Sequence, residues 1–325
     1  MSLDSSQNNK RIAKNTLLLY IRMFFIMGIS LFTSRIILRT LGLEDFGIYN
    51  VVGGVVAMMG VLNTAMTSSI QRYLSFEIGK GDFENLRKTF SVCFYIYVFL
   101  CIIFLFFAET AGLWFINNKL VIPNERMFAA NIVYQFTIIS VINTLLTNPY
   151  NACIISHEKM NVYAYVSIIE VLLKLGIVYI LYVIPYDRLI VYGMLFMIMS
   201  IIVTMIYRLY CLKNYPECHL KWYSDKKLYK QLLSYSGWNL FGSISSMVKG
   251  QGLNILLNMF FSPSVNASRG ISYQVNSSIS HFFTNFYTAV RPQISKYYAQ
   301  GDMENMFKLV FRSSKLSFFL ILLIS

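Results

Sequence analysis

The octet Gly81, Asp82, Phe83, Glu84, Asn85, Leu86, Arg87, Lys88 returns 220 positions later as Gly301, Asp302, Met303, Glu304, Asn305, Met306, Phe307, Lys308. Both copies close one long apolar stretch and open the next. At nearly the same offset, Arg35, Ile36, Ile37, Leu38, Arg39 lies over Asn254, Ile255, Leu256, Leu257, Asn258. Self-similarity at a fixed spacing is the mark of a duplicated structural unit. What that unit is made of follows from the composition around it.

Of 325 residues, 56% are hydrophobic, 16% aromatic and 13% charged, and the mean hydropathy is +0.54. Soluble domains carry about 25% charged residues, so an ordinary soluble enzyme is excluded. Lys and Arg outnumber Asp and Glu by 28 to 15, for a formal charge of +13. Because the basic residues alternate with apolar runs, the bilayer is the partner they imply, and nucleic acid is not expected.

A helix needs about 20 apolar residues to cross the hydrocarbon core, where all backbone hydrogen bonds must be closed internally. That ruler predicts an all-α, polytopic membrane protein with eight complete spans, at 15–40, 46–69, 89–113, 127–151, 162–184, 190–212, 232–260 and 266–290, and part of a ninth from 306. The ninth runs to Ser325 with no flanking charge or turn, so the chain reads as part of a longer protein. The six prolines are expected in loops or at span ends. A repeat of six spans keeps its direction through the membrane, because six is even. Two parallel six-helix bundles with a cavity between them are therefore expected, as in one class of secondary transporters. The predicted division is 1–220 for the N-terminal bundle with its linker and 221–325 for the start of the second.

Lys10, Arg11 and Lys14 precede the first span; Arg72, Lys80, Arg87 and Lys88 follow the second; Lys159 follows the fourth; Arg208, Lys213, Lys221, Lys226, Lys227 and Lys230 follow the sixth; and Arg291, Lys296 and Lys308 follow the eighth. The opposite side holds Arg39, Lys119, Arg126 and Arg188. By the positive-inside rule the N-terminus is cytoplasmic. Cys93, Cys101, Cys153, Cys211 and Cys218 show no CxxC spacing, and with His219 they are read as small apolar or loop residues; no metal site is expected.

Ionisable residues inside spans are costly and face a cavity or a partner. Arg22, Arg35, Lys249 and Arg269 are the candidate substrate-binding cations. Lys249 lies about 16 Å of helix from its outer span end, too deep to snorkel. Glu170 and Lys174, four apart with the acid first, form a pair on one helix face, either self-neutralising or a coupling site for a proton or sodium ion. With that pair set aside, four cations and no acid remain, a lining suited to an anion, phosphate above all. No cofactor and no catalytic residues are expected.

The stretch Ser34, Arg35, Ile36, Ile37, Leu38, Arg39, Thr40, Leu41, Gly42, Leu43, Glu44, Asp45, Phe46, Gly47, Ile48, Tyr49, followed by the Gly81, Asp82 loop, resembles the opening of the polysaccharide transporter (Wzx-type flippase) family of the multidrug/oligosaccharidyl-lipid/polysaccharide (MOP) exporter superfamily. The resemblance implies a MATE-like fold of two six-helix bundles. It also implies alternating access that moves an undecaprenyl-diphosphate-linked oligosaccharide, such as an O-antigen or capsular repeat unit, across the bacterial inner membrane, and a cationic central cavity. Other polysaccharide-assembly membrane proteins are its expected partners. Two alternatives follow from the same residues: a drug or metabolite antiporter coupled to protons or sodium, and a membrane-bound glycosyltransferase or polymerase. The latter would need a sizeable acidic or His-bearing loop, and His157, His219 and His281 form no cluster in the sequence.

Overall fold

A computed structural model describes residues 2–57, 60–120, 122–260, 272, 280 and 284–324. Among them the chain is helical, with no strand. The elements are α1 (Ser2–Ala57), α2 (Gly60–Lys80), α3 (Phe83–Phe107), α4 (Leu113–Asn118), α5 (Met127–Ser156), α6 (Met160–Val183), α7 (Arg188–Asn214), α8 (Lys226–Phe260), α9 (284–299) and α10 (Met303–Ile324). Five stretches are long and apolar enough to cross a membrane: Lys10–Gly42, Phe83–Asn118, Asn124–Ser156, Met160–Val183 and Arg188–Asn214. They correspond to the first and the third to sixth expected spans. Gly42, whose φ of +82° breaks helix α1, separates the first expected span from the second. Much of 266–290, including Arg269, lies outside the described residues.

The repeat is visible in atomic detail. Gly81 and Gly301 both adopt left-handed conformations, with φ of +74° and +75°, which glycine alone enters without strain. Each stops a helix: the Gly81 amide donates to the Glu77 and Ile78 carbonyls, and the Gly301 and Asp302 amides donate to those of Tyr298 and Tyr297. Each is followed by an aspartate that starts the next helix. Asp82 accepts from the Asn85 amide at 3.0 Å and from its side chain at 2.6 Å; Asp302 accepts from Asn305 at 3.1 and 2.8 Å. One octet thus encodes one device twice, a glycine stop joined to an Asx start.

The main core lies among α2, α3 and α5, where Leu74, Phe90, Tyr97, Tyr134, Ile138 and Ile154 are fully buried. A second cluster joins α1, α6 and α7 through Leu41, Ile177, Leu181 and Tyr192. Between α5 and α7, Gly193 admits Val133 and Thr147 donates to Thr204 at 2.8 Å, the small-residue and hydroxyl contacts by which helices associate in lipid. Between α3 and α4 lies a single π turn, Ala108–Gly112. Tyr134 donates to the Ala108 carbonyl there at 2.8 Å, and a Cβ on Gly112 would collide with that hydroxyl.

Like Pro292 inside α9, Pro149 departs from the expected placement in a loop or at a span end. Helix α5 continues past it to Ser156, so it stands inside the helix, where it is tolerated because neighbouring helices bury it. Far from the Gly81 turn, Arg126 donates to Asp45 at 2.8 Å and to Asp187 at 2.7 Å, and Arg188 donates to the Thr40 carbonyl at 3.1 Å. These bonds pin the kinked part of α1 to the starts of α5 and α7.

Candidate functional site

Two polar spaces are formed by the helices. The first, about 380 Å³, lies among α1, α5, α6 and α7. It holds Arg22, Glu170 and Lys174, surrounded by hydroxyl and amide side chains that include Thr144, Asn148, Asn151 and Ser167. Lys174 donates to Glu170 at 2.7 Å, and each side chain is about a third exposed (35% and 36%). The Arg22 guanidinium lies 4.2 Å over the Tyr163 ring, a cation–π contact. Its Nε is buried without a hydrogen-bond acceptor among the described residues. Two cations against one carboxylate leave this pocket one net positive charge, carried by a guanidinium with a donor to spare.

The second space lies between α2, α8 and α9, in two adjoining lobes of about 320 and 380 Å³. Arg72 and Tyr235 line both lobes, and Gln71, Ser75, Asn239 and Arg291 line one. Arg72 lies 4.8 Å over the Tyr235 ring and Arg291 lies 5.8 Å over that of Tyr287. Asn239 of α8 donates to Ser69 of α2 at 2.9 Å. Arg72 and Arg291 are 219 positions apart, one residue from the repeat offset, so each half contributes one guanidinium from an equivalent level of an equivalent helix.

An ion network joins α1 and α9 through Glu158. The Glu158 side chain, 1% exposed, meets Lys296 of α9 at 2.6 Å and Arg11 of α1 at 2.9 Å. Asn15 donates to the Glu158 carbonyl at 3.2 Å and Arg11 to Gln293 at 3.1 Å. Burial pulls the Lys296 ammonium below its ordinary range, against the attraction of Glu158.

Of the residues singled out in the sequence, Arg22, Glu170 and Lys174 come together in the first pocket. Arg35 lies 13 residues further along α1 and is exposed, and Lys249 is exposed on α8; neither lines that pocket. Arg72 and Arg291 were read from the sequence as topological loop charges. What marks them is their spacing, which nearly equals the repeat offset.

The sequence profile of the polysaccharide biosynthesis protein family matches residues 12–298. No curated protein sequence matches the chain significantly. Among solved structures, an outward-facing multidrug resistance MATE family transporter of the MOP superfamily is similar over 96% of this chain and 70% of its own, with a TM-score of 0.77 at 13% identity. A Vibrio cholerae MATE transporter matches 95% of this chain and 70% of its own, with a TM-score of 0.74 at 12% identity. A MOP superfamily transporter from Pyrococcus furiosus, described as having a binding pocket of reverse polarity, matches 95% and 70%, with a TM-score of 0.70 at 12% identity. At such identities the likeness is one of fold. A profile match over most of the chain, carried on helices apolar enough to span a bilayer, makes this a multi-pass membrane protein of MATE-like fold that belongs to the polysaccharide biosynthesis protein family.

Proposed function

We propose that the protein is an alternating-access flippase, not an enzyme, that moves an undecaprenyl-diphosphate-linked oligosaccharide across the bacterial inner membrane with its N-terminus in the cytoplasm. The observation that carries this reading is the pair Arg72 and Arg291, one from each repeat, facing one space between α2, α8 and α9. Paired guanidiniums offer forked donors that match the oxygens of a diphosphate. A space between parallel repeats is where a secondary transporter holds its cargo. Lys249 and Arg35, exposed on α8 and α1, extend the positive lining toward the sugars; Arg269, the fourth candidate cation, lies outside the described residues. The lipid tail stays in the bilayer.

The family match supports a polysaccharide-pathway cargo. A MOP transporter described as having a pocket of reverse polarity indicates that this fold accommodates pockets of different charge. Residues 1–220 and 221–325 act as the two moving units, and contacts such as Glu158 to Lys296 hold the cytoplasmic end closed.

The test is to express Arg72→Ala, Arg291→Ala and the double variant as the intact protein in cells lacking it, and to measure surface polysaccharide at matched protein level. A loss of export, largest in the double variant, is expected; export equal to that of the unaltered protein overturns the assignment. A second reading, antiport coupled to protons or sodium, is favoured by Glu170 facing the first pocket. Dye efflux that is driven by a proton gradient and lost in Glu170→Gln would support it.

A further inference from the structure

Near the Gly81 turn the fold assembles a cluster that transport does not use. Cys153 near the end of α5, Cys211 near the end of α7 and Cys218 in the turn Pro216–Cys218 are all buried. The Cys218 and Cys153 sulfurs are 3.7 Å apart. Cys153 Sγ lies 3.8 Å from Glu217 Oε1, and that oxygen lies 2.6 Å from His157 Nε2. One ligand atom from each of Cys153, His157 and Glu217 falls within 4.8 Å of the others. Cys211 adjoins both other thiols and reaches the Tyr150 carbonyl at 3.5 Å.

Apolar packing explains a lone buried thiol. It does not explain a carboxylate that is 5% exposed and a histidine placed among thiols. Two sulfurs bound to one zinc ion at about 2.3 Å and the tetrahedral angle stand about 3.8 Å apart, which is the separation found. A disulfide needs about 2.0 Å, and the reducing cytoplasm disfavours it. Cys153 stands in the last turn of α5, and His157, four residues on, caps that helix with its amide donating to the Cys153 carbonyl at 3.0 Å. The His157 ring is held by stacking on Tyr215, with centroids 4.2 Å apart and planes 11° from parallel, the kind of outer contact that orients a ligand.

We propose that Cys153, His157 and Glu217 bind one zinc ion, with Cys218, whose sulfur lies 3.7 Å from that of Cys153, turning in as the fourth ligand. The two cysteines bind as thiolates and release their protons to solvent. His157 gives up its bond to Glu217 and coordinates as neutral imidazole, and Cys211 packs beside them. The ion ties the loop after α7 to the end of α5. The same loop is fastened to α3, where Arg87 Nε donates to the His219 carbonyl at 3.0 Å and the Lys221 amide to Ser91 Oγ at 3.3 Å. The site is structural and fixes the connection leading into α8.

The test uses the intact protein, expressed with zinc and purified in detergent without chelator. Its metal is quantified by mass spectrometry, and zinc is then replaced by cobalt to look for thiolate-to-cobalt charge transfer. About one zinc per chain and the charge-transfer band are expected. Both are expected to be lost in Cys153→Ser with Cys218→Ser and kept in Cys93→Ser with Cys101→Ser, two buried cysteines of α3. Zinc-free protein without the band, a disulfide between Cys153 and Cys218, or unchanged zinc in the Cys153 and Cys218 double variant would overturn the proposal. The wild-type cobalt spectrum decides the matter even where the double variant fails to accumulate.

Discussion

Gly79 and Ala299 are 220 positions apart and touch: a Cβ on Gly79 would stand 2.9 Å from the Ala299 Cβ and 2.8 Å from the Lys296 Cα. Equivalent residues of two copies meet only close to the axis that relates the copies, so the crossing of α2 and α9 marks that axis. Gly79 has a positional role there, because the neighbouring atom is backbone and cannot swing away. Gly79→Val is expected to force α2 and α9 apart and to destabilise the protein by about 1–3 kcal/mol, as overpacking does, with Gly79→Ala milder. Thermal unfolding in detergent, with the labelling rate of Ser75→Cys in the adjoining space, checks this; labelling is expected to rise in Gly79→Val.

Glu158 and Lys296 form a buried pair beside the same crossing. Removing one partner of a buried pair leaves an uncompensated charge, at about 3–5 kcal/mol, so Lys296→Ala is expected to be strongly destabilising. Arg11, whose side chain is 49% exposed, contributes no more than about 1 kcal/mol. Glu158→Gln together with Lys296→Met should recover most of the loss. Denaturant unfolding of wild type, Lys296→Ala, Arg11→Ala and the Glu158→Gln, Lys296→Met double variant measures the pattern.

The twin helix starts give a pH prediction. Hydrogen bonds from the Asn85 amide and side chain hold the Asp82 carboxyl below its ordinary range, and those from the Asn305 side chain and amide do the same for Asp302. A carboxylate whose pKa is lowered by folding adds stability above its unfolded pKa and loses it as pH falls through the folded one. The melting temperature of wild type should therefore be insensitive to these groups from pH 7 to 5 and fall below about pH 4. Asp82→Asn with Asp302→Asn should start lower and show a smaller acid-induced drop.

Glu170 and Lys174 form a neutral pair in a pocket that already holds Arg22. Glu170→Gln leaves two cations facing one another and is expected to destabilise by roughly 1 kcal/mol, small because both side chains are about a third exposed. Adding Lys174→Met should restore stability and leave the pH profile of transport unchanged. A pH profile that flattens in the double variant would place ion coupling at this pair.

The repeat, the helical class and five of the spans were legible because hydropathy and the Gly-Asp-x-x-Asn turn are local signals. The Glu170 and Lys174 pair was legible for the same reason, being four residues apart on one helix. Arg22 was legible as an ionisable residue inside an expected span, but its neighbours were not, since the pocket joins α1 to residues over 120 positions away. The pairing of Arg72 with Arg291 and the meeting of Cys153 with Cys218 depend on contacts between distant segments. Their only traces in the sequence are a spacing close to the repeat offset and a cysteine four residues before a histidine.

Leaflet translocation by the purified intact protein in proteoliposomes, with a fluorescent undecaprenyl-diphosphate-linked oligosaccharide, tests the central claim most directly. Translocation well above protein-free vesicles is expected, falling at least tenfold in Arg72→Ala with Arg291→Ala, while that double variant keeps its fold and melting temperature. Translocation at the wild-type rate by the folded double variant, or none by the wild type above protein-free vesicles, would contradict it.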